Sequence, residues 1–200
     1  MLRDEGALLA AVGLLMVLGA GGCAYEIHQE GQVVNPKRLF RIQTVVVMPF
    51  RYLHDWTGYF REIYRSAGLE PPQVEKIDDV EATFLPEGAL LKRGYTVRSW
   101  PSKMKKFSWS EGITGAKFKE ALSAIQASGA EAVLFLRGRS VCLRIHHCVA
   151  AVDIKMVDAE NGTLIWKSKA TGSTFISHGN EMRAAIEEAL DALPSPPVRP

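Results

Sequence analysis

The sequence predicts a single α/β (α+β) domain, a mixed β-sheet with helices packed against it, in the order β-α-β-α-β-β-β-α. Three observations carry this. A β-branched run at 44–47 reads as a buried strand, and the continuous apolar run at 132–136 as a strand covered on both faces. Stretches 118–125 and 182–193 place apolar residues at helical spacing. Around Asp158–Gly162 the pattern changes to an alternation on both sides of a turn. The 47% hydrophobic and 23% charged fractions are those of an ordinary globular protein.

Taken in order, the first core strand is expected within Arg41–Phe50, where Thr44, Val45, Val46 and Val47 are β-branched and Pro49 can sit only at an end or edge. Residues 51–78 form an insertion of mixed signals. Trp56, Tyr59, Phe60, Ile63 and Tyr64 have helical spacing, but Gly58, Gly68 and Pro71-Pro72 interrupt it. A helix follows over Val80–Leu91, kinked or interrupted at Pro86 and stopped by Gly94. Tyr95–Trp100 reads as a short strand closed by Pro101.

A lysine-rich loop leads to a helix whose Phe118, Ala121, Leu122 and Ile125 share one face, with Gly129 at its end. Ala132–Leu136 is the next buried strand, and Gly138-Arg139 lead out of it. Val152, Ile154 and Met156 point inward on the following strand; Gly162 or Asn161 takes positive φ in the turn, and Leu164 and Trp166 alternate with Ile165 and Lys167 on the return. A last helix is capped by Asn180, buries Met182, Ala185, Ile186, Ala189, Leu190 and Leu193, and stops at Pro194. The β-α-β portions should be parallel and the hairpin antiparallel.

Net charge is +2, too small for a dedicated nucleic-acid binder. Basic residues concentrate only at Lys92, Arg93, Arg98, Lys103, Lys105 and Lys106, a solvated face or a site for headgroups or an anionic polymer.

The amino terminus carries an address. Ala7–Ala20 is an apolar run of signal-peptide length, short for a transmembrane span, and Val17-Leu18-Gly19-Ala20-Gly21-Gly22 leads into Cys23. Small residues before a cysteine resemble the bacterial lipobox, in which the thiol is acylated and the preceding peptide removed. Two features depart from that pattern: Asp4 and Glu5 offset Arg3, and Ala20 stands where leucine is usual. A plain membrane anchor and an ordinary secretory signal are the alternatives. By the same resemblance, Ala24 after the cysteine favours the outer membrane. The expected division is a lipoprotein signal peptide at 1–22, a lipidated amino terminus and tether at 23–40, a periplasmic α/β domain at 41–194 and a disordered tail at 195–200.

With Cys23 committed to lipid, Cys142 and Cys148 remain. An even pair in an oxidising compartment suggests a disulfide. Six residues of straight strand span about 20 Å, so a bridge requires a turn between the two. A metal site and free thiols are the other readings. His146 and His147 add ligands to this stretch, yet neither C-x2-C nor H-x3-H spacing is present, and adjacent histidines point opposite ways when extended.

Strand TVVVMPF, the helix ending LLKRGYTV, strand EAVLFLRG, hairpin VDIKMVDAENGTLIWKS and the helix stopped at LP resemble a bacterial envelope superfamily. Its members include the curli-secretion lipoprotein, the exopolysaccharide-export lipoprotein PelC, the lipoprotein activators of penicillin-binding proteins and the amino-terminal domain of TolB. The match spans 41–194; Asp158, Gly162 and Trp166 fit its D-x-x-x-G-x-x-x-W hairpin pattern, while the 51–78 insertion and Pro86 depart from it. The resemblance implies an accessory or assembly role on the periplasmic side of the outer membrane, without catalysis. No long amphipathic hairpin of the kind a secretion channel inserts is evident, which argues against a pore.

No P-loop, dinucleotide fingerprint or G-x-S-x-G elbow occurs. Acidic neighbours Asp78-Asp79 and Glu187-Glu188 sit in loop or helix-surface settings, and Glu187-Glu188 reads as solvated charge, since adjacent helical residues diverge by about 100°. The leading expectation is a non-catalytic outer-membrane lipoprotein with no cofactor beyond lipid on Cys23. Its partners would be the membrane, envelope proteins and further copies of itself, with no nucleic acid. The alternative is a periplasmic small-molecule or metal-binding domain using the His146–Cys148 region.

Overall fold

Val45, Val46 and Val47 lie opposite Ala132, Val133 and Leu134 in a parallel pair at the centre of the sheet, joining β2 (Thr44–Val47) to β6 (Ala132–Arg144). The structure is a computed structural model, and it describes residues 30–71, 73, 75–101, 104, 116–144, 147–174 and 180–197. The signal segment, Cys23 and His146 therefore lie outside the described residues.

Among the described residues the sheet has eight strands. Its main path runs β1 (Glu30–Val33), β8 (Leu164–Thr174), β7 (His147–Asp158), β6, β2, β5 (Thr96–Arg98). β3 (Arg51–Asp55) lies parallel to the second half of β6, and β4 (Ile77–Glu81) pairs antiparallel outside β3. The parallel β2–β5 and β2–β6 pairs and the antiparallel β7–β8 hairpin are those the sequence predicts. Five helices are described: α1 (Pro36–Leu39), α2 (Thr57–Ser66), α3 (Phe84–Lys92), α4 (Ala116–Ala127) and α5 (Asn180–Asp191). The fold is α+β with a mixed sheet.

Alternation divides the core into two layers. Val45, Val47, Leu134, Ile154 and Met156 face α5 and α3 with Trp166. Val46, Val133, Phe135 and Val157 face α4 through Phe118, Leu122 and Ile125. Two-sided cover explains why the central strands show no polar alternation. Gly162 holds φ at 74° in the β7–β8 turn, a conformation that glycine adopts without steric cost.

Several expectations need correction. Residues 30–40, expected as tether, are part of the domain: β1 pairs with β8, and α1 follows it. β1 is exposed along its length, so backbone pairing rather than apolar burial places it there. The strand expected to end at Pro49 bends there and resumes as β3 along the same neighbour. Proline has no N–H to donate to the ladder, and the bend at 48–50 absorbs its absence. Pro86 makes no kink. The helix begins at Phe84 rather than Val80, so Pro86 sits in its first turn, where the N–H needs no intrahelical partner. β6 continues past Gly138 to Arg144. In the tail expected to be disordered, the Pro197 carbonyl accepts a 2.7 Å hydrogen bond from Gln43 Nε2.

The basic cluster is partly neutralised: Lys92 pairs with Glu187 at 3.1 Å and Arg93 pairs with Asp191. Lys103, Lys105 and Lys106 lie outside the described residues.

Candidate functional site

At the far end of the sheet the inner face changes from apolar to polar. β3 turns Tyr52 and His54 inward while Arg51 and Leu53 face out. In register, His54 lies beside Ser140 of β6. Two residues on, Cys142 lies opposite Cys148 of β7, their Cα atoms 4.0 Å apart, and the two sulfurs are joined in a disulfide. The antiparallel pairing of β6 with β7 brings the two side by side, as such a bridge requires. The first turn of α5 lowers Glu181 onto this row.

The geometry links these groups in one line. Ser140 Oγ donates to Glu181 Oε1 at 2.8 Å, His54 Nδ1 lies 3.3 Å from the same oxygen, and His54 Nε2 lies 3.3 Å from Cys142 Sγ. All of these residues are buried, with Glu181 at 0% and His54 at 2% exposure. A carboxylate so placed is costly unless charged or hydrogen-bonded groups meet it, and Ser140 and His54 supply them. Tyr52 closes the apolar side; burial, and then the Glu181 charge, push its phenol pKa up. Trp56 closes the other side, its ring centroid 4.0 Å from that of His54.

Gly58, which interrupts the helical pattern in sequence, has a structural task here. A Cβ on it would come 2.9 Å from the Leu143 carbonyl oxygen and nearer still to that of Cys142. Only a glycine lets α2 lie directly on the backbone of the disulfide strand. Just before α2, Asp55 Oδ1 accepts from the Thr57 N–H at 2.9 Å, and Arg139 lies 3.5 Å from its other oxygen. Burial raises the Asp55 pKa, but the Thr57 hydrogen bonds and Arg139 outweigh it and hold the carboxyl below its usual range.

A line of sulfur, imidazole and carboxylate is the order of a thiol–histidine–carboxylate triad. Here the sulfur is bonded to a second sulfur and the array is buried, so this array presents no thiol nucleophile. What the cluster offers is a set of soft and borderline ligand atoms: His54, Cys142 and Cys148 place one each within 4.8 Å of one another.

Of the residues singled out in sequence, the structure brings Cys142 and Cys148 together. His147 begins β7 opposite Arg144, away from the inner row. Asp158 and Trp166 of the hairpin pattern have structural tasks. Trp166 is fully buried in the larger core, and Asp158 binds Arg38. His54 and Glu181 escape sequence reasoning, although the alternation Phe50, Tyr52, His54 carries a readable signal of an inward histidine.

On the opposite face, Arg137, Arg139, Asp153 and Lys169 with Glu30 of β1 border an open concavity of about 550 Å³. Among the described residues, no helix is long and apolar enough to cross a membrane.

No protein-family model matches the chain, and no curated protein matches it. Among solved structures it is similar to the PelC dodecamer from Paraburkholderia phytofirmans, at 15% identity over 86% of this chain and 100% of that one, with a TM-score of 0.47. It is also similar to lipoprotein GNA1162 from Neisseria meningitidis, at 19% identity over 64% of this chain and 78% of that one, TM-score 0.30. A third likeness is to the LpoB C-terminal domain from Salmonella enterica, at 12% identity over 66% and 83%, TM-score 0.35. The functional reading rests on this chain's own residues.

Proposed function

We propose that this chain is a lipid-anchored protein of the bacterial envelope, held by an acylated Cys23 on the periplasmic face of the outer membrane. There it serves a non-catalytic accessory role in an export or cell-wall assembly. The observation that carries this is the apolar run Ala7–Ala20 closing through small residues on Cys23. The fold supports it in a specific way. With β1 starting at Glu30, the chain from Cys23 can span at most about 25 Å even when fully extended. The lipid thus holds the β1–β8 edge of the sheet near the bilayer, and partners are met close to the membrane rather than at the end of a long tether. Its partners are envelope proteins and further copies of the chain.

Fractionation tests the proposal. The natural chain should incorporate labelled fatty acid and sediment with outer membranes, while Cys23→Ser should lose the label and leave that fraction in processed or precursor form. Equal labelling of both would sink the anchor at Cys23. Light scattering on the lipidated chain in detergent reads its stoichiometry. A mass of several protomers is expected for a self-assembling component, and a single-protomer mass would remove self-assembly from the proposal.

A further inference from the structure

The His54–Cys142–Cys148 cluster is more than a bridge with a neighbour. A tetrahedral site with metal–sulfur bonds near 2.3 Å and metal–nitrogen bonds near 2.0 Å has sulfur–nitrogen edges of about 3.5 Å. His54 Nε2 already lies 3.3 Å from Cys142 Sγ, on such an edge. Cleaving the disulfide frees both side chains to rotate toward the sulfur–sulfur edge of about 3.7 Å that the same geometry needs. The imidazole is also oriented as in metal sites. A carboxylate at its Nδ1 favours the tautomer that leaves the Nε2 lone pair facing the sulfurs, and Ser140 in turn fixes that carboxylate.

We infer that the reduced chain holds one zinc-class divalent cation on His54, Cys142 and Cys148, making the cation and the disulfide alternative occupants of one buried site. Two thiolates and an imidazole suit a borderline-soft ion, and three protein ligands leave one position for water or an added ligand. Glu181 and Ser140 are positioning residues. The inference is independent of the anchoring proposal, because Cys23 takes no part.

The chemistry balances. A dithiol reductant gives two electrons and two protons to the Cys142–Cys148 bond, which becomes two thiols while the reductant becomes a disulfide. The cation then binds both sulfurs and the neutral imidazole, releasing the two thiol protons.

The test uses the full-length chain carrying Cys23→Ser in detergent, so that Cys142 and Cys148 are its only thiols. After reduction and anaerobic removal of the reductant, cobalt(II) should bind one per chain. Binding should give a thiolate-to-cobalt charge-transfer band in the near ultraviolet, displaced by zinc. Both thiols should then resist alkylation, and the reoxidised chain should show no band. His54→Ala should weaken cobalt binding about tenfold or more. In the zinc-loaded chain with its histidine intact, the His54 Nε2 resonance should move to the metal-bound range, which reads the ligand without relying on that variant's folding. Absence of the band with thiols alkylated at an unchanged rate under saturating cobalt would overturn the inference. So would an unmoved His54 resonance, which would assign the ion to the thiols without this histidine.

Discussion

Arg38 and Asp158, separated by 120 positions in sequence, meet through two hydrogen bonds: Nε to Oδ2 at 2.5 Å and Nη2 to Oδ1 at 3.0 Å. The carboxylate is buried and also receives the Glu160 N–H at 2.8 Å. The β7–β8 turn and the amino-terminal helix α1 are thereby one unit. The hydrogen bond to Asp158 holds the Arg38 guanidinium pKa above its ordinary value despite partial burial.

Removing one partner of this pair should cost more than an exposed ion pair would. Arg38→Ala leaves Asp158 buried without its bidentate partner, and a loss of about 2–4 kcal/mol is expected. Arg38→Ala with Asp158→Asn should lose less than the sum of the two single variants. Chemical denaturation of all four proteins checks this; strict additivity would mean that the pair is not coupled.

Gly58→Ala should displace α2 from the disulfide strand, because the added methyl meets fixed backbone oxygens rather than a movable side chain. A loss of about 1–3 kcal/mol is expected, with altered Trp56 fluorescence. A melting temperature and emission spectrum equal to those of the parent would contradict the close approach.

Tyr95 provides a pH signature. The residue is 3% exposed and its phenol donates to the Pro194 carbonyl at 2.7 Å; burial pushes its pKa up to about 12. The folded state therefore keeps this proton after the unfolded state has released its own near pH 10. The contribution is complete below about pH 10 and is lost as the pH rises toward about 12, amounting to about 1–2 kcal/mol after solvent screening. Tyr95→Phe should lack this limb of the stability curve. Denaturation at pH 9 and pH 11.5 measures it, and an equal fall in both proteins would refute the assignment.

How much of this was legible in sequence depended on what each element is held by. The 158–166 hairpin is local, and its turn glycine and buried tryptophan point one way, but a bulge at Ile165 breaks the alternation expected on the return strand and puts Ile165 in the same core as Trp166, with Leu164 on the other side. β1 carries no apolar pattern because its four residues are exposed and only their backbone is paired. In β3 the alternation of Phe50 and Tyr52 marks the inward face, but Leu53 faces solvent and His54 the core, so hydrophobicity alone does not single out the histidine. The cysteine pair could be proposed from its even number and the expected oxidising compartment. The histidine and carboxylate beside it could not, because His54 and Glu181 come from elements that meet Ser140 and Cys142 only after β3 and α5 dock on β6.

The order in which β1 and the Arg38–Asp158 contact follow Glu30 has a mechanical consequence. Tension applied from the amino-terminal side reaches the Glu30–Lys169 rung first and the Val33–Trp166 rung last. The load is perpendicular to the ladder when the pull is away from the sheet, so β1 unzips one rung at a time at low force. Beyond it, Val34 and Asn35 donate to the Ile165 carbonyl, and then Arg38 grips Asp158. The pairs arrive in rising strength, from exposed rungs to a bidentate clamp on a buried carboxylate. A sudden tug is thus met first by a few exposed backbone bonds at the sheet edge, and it reaches β7 through the Arg38–Asp158 contact.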